Sequence, residues 1–92
     1  MLSTEYKTGY VVGNNKGIND GNLLVDPYPY TNYGDADYMN GYKNGYLRGY
    51  FDRVKEKRAT ASQKTIEIIN NQLRKISEII SEENTKEQQK TK

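Results

Sequence analysis

The 92-residue sequence contains no cysteine and no histidine. Their absence removes the side chains that most often bind zinc and haem, the thiol nucleophile, and the Ser-His and Cys-His pairs of hydrolytic enzymes. Any catalysis would have to rest on tyrosine or aspartate chemistry alone. We therefore predict that the protein is not an enzyme and that it uses no cofactor and no metal.

Apolar residues are also scarce, at 34% of the sequence. Chains of this size usually supplement a thin core with disulfides, metals or oligomerisation, and there is no cysteine or histidine to supply the first two. We expect a homo-oligomer, from dimer to tetramer, or a stabilising partner. No apolar run approaches the roughly 20 residues that span a bilayer, and "MLSTEYKTGY" lacks the pattern of a signal peptide. These absences predict no membrane association and a cytoplasmic location, in the host cytoplasm if the protein is viral.

Charge is unevenly distributed behind the formal net value of +2. Residues 1 to 42 are net acidic, whereas residues 43 to 64 contain seven basic and two acidic side chains. A basic band of this kind suits RNA phosphates or an acidic protein, and the alternative is a solvated helix face. The candidate contact residues in the band are Lys43, Arg48, Arg53, Lys55, Lys57 and Arg58.

An internal repeat appears when the sequence is shifted by 32 positions, which places "YKTGYVVGNNKGINDG" over "YMNGYKNGYLRGYFDR". Glycine and tyrosine recur every four residues, the spacing of one face of an α-helix. Each interior glycine costs a helix about 1 kcal/mol relative to alanine, so we predict that the glycines let two helices approach closely while the tyrosines cover the contact. The predicted packing residues are Gly9, Gly13, Gly17, Gly41, Gly45, Gly49, Tyr38, Tyr42, Tyr46 and Tyr50.

The first copy of the repeat allows other interpretations. Its "NNKG" is also typical of the turn of a β-hairpin. A phosphate-binding loop is disfavoured because no strand precedes the glycines and the "GK[ST]" element is missing.

The segment between the copies reads as a loop, because Pro27 and Pro29 cannot continue a helix. Asp35 or Asp37 is a candidate cap for the next helix, and the spacing of the acidic residues matches no EF-hand. The apolar triplet at residues 23 to 25 is expected to form a small core. If the repeat tyrosines are buried, the tyrosines left to stack on bases or contact a partner are Tyr28, Tyr30 and Tyr33.

The C-terminal part contains no glycine and no proline after Tyr50, so one helix running on from about residue 36 is compatible with it. Five apolar residues follow the three-four spacing of a coiled-coil seam, and we predict that they drive oligomerisation. They are Ile66, Ile69, Leu73, Ile76 and Ile80. The alternative is that this helix packs back onto the rest of its own chain.

The sequence therefore predicts an all-α protein, built as a glycine-packed helical hairpin followed by a long coiled-coil-like helix. The predicted parts are a hairpin with a Pro-Tyr loop over residues 1–58, an amphipathic oligomerisation helix over 59–84, and a disordered tail over 85–92.

Three short motifs, "GYVVG", "DPY" and "YMNGYKNGYLRGYFDRV", together resemble ribosome modulation factor and the short phage and bacterial proteins related to it. The likeness covers residues 6 to 54. It implies a two-helix protein that binds the small ribosomal subunit near the messenger exit region and promotes inactive ribosome dimers.

Two functions follow from these observations. The first is a small non-enzymatic binding protein that contacts the ribosome, rRNA or another structured RNA through the basic band. The alternative is a phage accessory protein that acts as an oligomer, either as an inhibitor of a host or defence protein or as a minor virion component.

Overall fold

The computed structural model describes residues 2 to 90 of the chain, and the side chains as far as residue 85. These residues form three helices, α1 (Thr4–Leu23), α2 (Ala36–Arg58) and α3 (Gln63–Lys90), and no strand. The predicted all-α class is confirmed, and the first copy of the repeat is a helix rather than a β-hairpin. Helix α3 continues into the predicted disordered tail, of which residues 91 and 92 lie outside the described part.

Local signals explain where the first two helices begin and end. The Ser3 hydroxyl accepts a hydrogen bond from the backbone N–H of Tyr6 at 3.1 Å, and the Asp35 carboxylate accepts one from Tyr38 at 2.9 Å. Both residues are N-caps, which satisfy amides that have no partner within their own helix. Leu24 closes α1 in the left-handed conformation, with φ 57°.

Helices α1 and α2 meet along their glycine ladders. A Cβ atom built on Gly13 would overlap the carbonyl group of Tyr42, and one built on Gly45 would overlap that of Tyr10. A glycine hydrogen therefore points at a carbonyl oxygen of the other helix, the arrangement of a Cα–H···O contact. The other four predicted ladder glycines lie in the same way: Gly9, Gly17, Gly41 and Gly49.

Both helices run in the same direction. Gly9, near the start of α1, meets Tyr38 near the start of α2, and Gly21, near the end of α1, meets Tyr50. A helical hairpin is antiparallel, so the predicted hairpin is incorrect. The link between the helices is long enough to bring the chain back along the roughly 30 Å of α1, because 12 extended residues span about 40 Å.

This link, residues 24 to 35, is called the strap below. Tyr50 donates its hydroxyl hydrogen to the Val25 carbonyl at 2.5 Å, and the Tyr28 N–H donates to the Tyr46 hydroxyl at 3.1 Å. Val25, early in the strap, contacts Tyr50, and Tyr28, later in the strap, contacts Tyr46, which comes earlier in α2. The strap therefore runs antiparallel to α2.

Helix α3 is separate from α2 and packs antiparallel to it. Gln72 lies 3.2 Å from the Tyr50 hydroxyl, and Glu83 lies 2.8 Å from the Lys43 ammonium group. The chain turns between Arg58 and Gln63, and the hydroxyl of Ser62 accepts from the N–H of Thr65 at 3.4 Å.

The core lies between α2 and α3 and includes two positions of the predicted coiled-coil seam. Ile69 and Ile76 are fully buried against α2, while the other three seam residues, Ile66, Leu73 and Ile80, are half-buried. The remaining buried apolar residues come from α2: Tyr46, Leu47, Tyr50 and Val54. The centre of the seam is therefore already occupied within one chain.

The apolar triplet at residues 23 to 25 does not form the small core that was expected. Leu23 is 62% exposed and Val25 is 43% exposed, whereas Leu24 packs against the core. The left-handed turn at Leu24 directs only that side chain inward. Among the described helices, none combines the length and the apolar content needed to cross a bilayer.

Candidate partner-binding surfaces

The two central tyrosines of α2 are structural. Tyr46 and Tyr50 have no exposed surface, and both hydroxyl groups are hydrogen-bonded. Tyr46 donates to the buried Asp20 carboxylate at 2.5 Å, and Lys16 pairs with the same carboxylate at 3.1 Å. Burial, followed by the hydrogen bond to Asp20, raises the pKa of Tyr46, and burial raises the pKa of Tyr50. Neither ring is accessible to a ligand.

Gln72 fixes the start of the strap from α3. Its amide nitrogen lies 3.3 Å from the Leu24 carbonyl, 3.1 Å from the Val25 carbonyl and 3.1 Å from the Asp26 carboxylate. Lys75 pairs with Asp26 at 2.8 Å, and this hydrogen bond holds the pKa of the Asp26 carboxyl below its usual range. Gln72 was not among the residues predicted from the sequence. Its one signal there is that it is a polar residue between two core isoleucines, Ile69 and Ile76.

The strap displays the three tyrosines that the sequence left free to contact a partner. Tyr28 is 68% exposed, Tyr30 is 43% exposed and Tyr33 is 73% exposed. The Tyr28 and Tyr30 rings meet edge to face at 5.3 Å, and Tyr33 meets Tyr38 in the same way at 5.3 Å. Partial burial, together with nearby Glu83, raises the pKa of Tyr30.

The basic residues of α2 do not form one face. Lys43 points to α3, where it pairs with Glu83 at 2.8 Å, and Arg53 points to α1, where it contacts the Asn22 side-chain oxygen at 2.8 Å. The predicted continuous basic band is therefore interrupted, because cations at these spacings lie on different sides of the helix.

Most of the band is also engaged in other interactions. Arg48 pairs with Asp52 at 2.8 Å, Arg53 pairs with Glu56 at 3.2 Å, and Lys55 lies over the Phe51 ring at 5.2 Å. Lys57 and Arg58 make no ion pair within the described residues. Both lie in the last turn of α2, where positive charge also favours the helix dipole.

Two of the grooves outside the strap involve α1. The asparagine groove has a volume of 610 Å³ and runs between α1 and α2; its lining is Asn14, Asn15, Ile18, Asn19, Asn22, Gly49, Asp52, Arg53 and Glu56. The second groove is apolar and lies on α1, lined by Leu2, Tyr6, Lys7, Tyr10 and Val11. Within the described residues, no group of acidic side chains is arranged to hold a metal ion.

No family model, curated protein or solved structure matches this chain. The likeness to ribosome modulation factor therefore stays a prediction from short motifs.

Proposed function

We propose that the protein is a non-catalytic, protein-binding module that contacts its partner through the exposed tyrosines of the strap. The observation that carries the proposal is that Tyr28 and Tyr33, the two most exposed aromatic residues, lie on a segment tied down by buried side chains. Tyrosine offers a large contact area with few rotatable bonds, which suits a binding surface.

The strap is organised before any partner arrives. Tyr46 and Tyr50 hold it from α2, and Gln72 holds it from α3. A loop that is already ordered loses less conformational entropy on binding, and affinity rises accordingly. A flexible loop with the same tyrosines would bind more weakly.

The charges near these tyrosines favour a protein over RNA. Asp35 and Asp37 lie at the start of α2, beside Tyr33, and Glu82 lies near Tyr30, where Glu83 is paired with Lys43. Phosphates would be repelled there, whereas a partner with lysine or arginine beside its apolar contacts would be attracted.

RNA binding is the second candidate, supported by the cations without ion pairs at the end of α2. They lie far from the exposed tyrosines: Tyr38, which touches Tyr33, precedes Arg58 by 20 residues, or about 30 Å of helix. A surface that stacks bases needs aromatic rings and cations along the same strand, and this separation does not provide that.

A pull-down from cell extract distinguishes the two candidates. The bait is compared with Tyr28→Ala/Tyr33→Ala and with Lys57→Ala/Arg58→Ala, and both proteins and rRNA are measured. We expect the wild type and Lys57→Ala/Arg58→Ala to capture the same partner protein, and we expect Tyr28→Ala/Tyr33→Ala not to capture it. Capture of rRNA that depends on Lys57 and Arg58, and that weakens steeply with salt, would instead support the ribosomal function.

A further inference from the structure

The α1–α2 pair has two equivalent faces, because the repeat relates the helices by an approximate twofold axis. Gly9 contacts Tyr38, and Gly41 contacts Tyr6. Gly41 is the repeat equivalent of Gly9, and Tyr6 is the repeat equivalent of Tyr38, because the two copies are offset by 32 residues. The same contact is therefore made twice, with the two helices exchanged. A helix pair with this symmetry has the same backbone shape on its two faces, one on each side of the α1–α2 contact, although the side chains on the two faces differ.

One of the two faces is covered by the chain itself. It is formed by α2 residues that the strap and α3 pack against: Tyr46, Leu47, Tyr50, Phe51 and Val54. The contact with the strap includes two hydrogen bonds between tyrosine hydroxyls and the strap backbone. The Tyr28 N–H donates to the Tyr46 hydroxyl, and the Tyr50 hydroxyl donates to the Val25 carbonyl. This face therefore already binds an extended polypeptide.

The other face is the asparagine groove. Subtracting 32 from the five covered positions gives five residues of its lining: Asn14, Asn15, Ile18, Asn19 and Asn22. Asn14 and Ile18 take the places of Tyr46 and Tyr50, and their smaller side chains leave open the space that the tyrosine rings fill on the covered face.

We infer that the asparagine groove binds an extended peptide segment of a partner protein through the peptide's backbone. A side-chain amide offers two donors and an acceptor, which complement the N–H and C=O groups of an extended chain. Asn15 and Asn19 are exposed, and their side chains make no hydrogen bond within the described residues. Asn14 donates to the Gly45 carbonyl at 3.2 Å, which fixes its amide at the floor of the groove.

An apolar helix like α3 does not fit this groove. On the covered face α3 packs against Leu47 and Phe51, and the equivalent residues here are Asn15 and Asn19. Burying those amides under aliphatic side chains would leave them without hydrogen bonds, which is unfavourable. The groove lies on the opposite side of the helix pair from the strap, so its occupancy is independent of the proposed tyrosine contact.

The test is selection of phage-displayed random heptapeptides against the folded protein, followed by titration of the best synthetic peptide. We expect the peptide to shift the side-chain amide signals of the groove asparagines in nitrogen-proton NMR spectra. We also expect Asn15→Ala/Asn19→Ala to weaken binding by roughly tenfold or more, since two hydrogen bonds are lost.

Two matched variants serve as controls. Asn40→Ala/Asn70→Ala makes the same chemical change at exposed positions on the other helices, and Tyr28→Ala/Tyr33→Ala removes the strap contacts. Both should bind the peptide as tightly as the wild type. No enriched peptide, or one that binds Asn15→Ala/Asn19→Ala unchanged, would overturn the inference. The inference would also be overturned if an oligouridine or maltohexaose, but no peptide, shifted the side-chain amide signals of the groove asparagines.

Discussion

Replacing Gly45 with alanine tests the close packing of α1 and α2. Alanine favours a helix over glycine by about 1 kcal/mol, so helix propensity alone predicts a more stable protein. The new methyl group, however, would overlap the Tyr10 carbonyl, a backbone group that cannot rotate away. To restore ordinary contact the helices must separate by more than about 1 Å, which loosens the Cα–H···O contacts along the whole ladder.

The magnitude follows from these two opposing terms. Overpacking in a tight interface costs about 1–3 kcal/mol, and a clash with backbone belongs at the upper end. After the propensity gain is subtracted, we expect a net loss of about 2 kcal/mol, or about 8–16 °C in the thermal midpoint of a domain of this size.

The assay is thermal unfolding followed by far-UV circular dichroism, with Asn19→Ala as a control at an exposed helical position. The control should be at least as stable as the wild type. Gly13→Ala, the repeat equivalent, should cost about as much as Gly45→Ala, and the double variant should cost less than the sum because the first methyl already separates the helices. A Gly45→Ala protein as stable as the wild type would refute the packing argument.

Three further predictions concern the Gln72 contacts with the strap, the pH range and the assembly state. Gln72→Leu should lower stability by about 1–3 kcal/mol and speed hydrogen exchange in the strap, because two carbonyls lose their donor. The free energy of unfolding should stay constant up to about pH 10 and fall above it, because Tyr46 and Tyr50 ionise there in the unfolded chain but stay protonated when buried. In Tyr46→Phe this fall should be smaller. Light scattering should give a monomer, and Ile69→Asp should unfold the chain, because Ile69 is buried within it; a folded Ile69→Asp monomer from a wild-type oligomer would contradict this.

The four-residue period was enough to predict both helices of the repeat. The turn-like "NNKG" of the first copy nevertheless left a β-hairpin open, and Asp35 was one of two candidate caps. The relative direction of the helices was not predictable, because a glycine ladder presents the same small surface whichever way the other helix runs. The strap returns the chain along α2, as the parallel direction requires. Its anchors Tyr46 and Tyr50 were predicted only to cover the glycine contact, not to hold a loop.

The site was predictable only in part. Tyr28, Tyr30 and Tyr33 were predicted to be free because they lie in the loop and the repeat tyrosines were expected to be buried. Neither Gln72 nor the asparagine groove was predicted. Gln72 acts on residues 48 positions away, and no local pattern encodes such a distance. The basic band was wrongly predicted to be continuous because its residues share one segment of the sequence. In the helix, Lys43 and Arg53 lie on different sides of α2.

The parallel course of α1 and α2 sets the order in which the chain can fold. A hairpin begins with contacts a few residues apart and closes like a zipper from its turn. Here Asn14 meets Gly45 across 31 residues, and the other contacts of the ladder join residues at similarly large distances in sequence. Closing such a loop costs about 2 kcal/mol more entropy than closing one of four residues, at about 0.6 kcal/mol per doubling. Among the described residues, the α1–α2 interface has no contact between residues close in sequence. Its first contact must therefore close this large loop, and it can do so only after the second copy of the repeat has been synthesised.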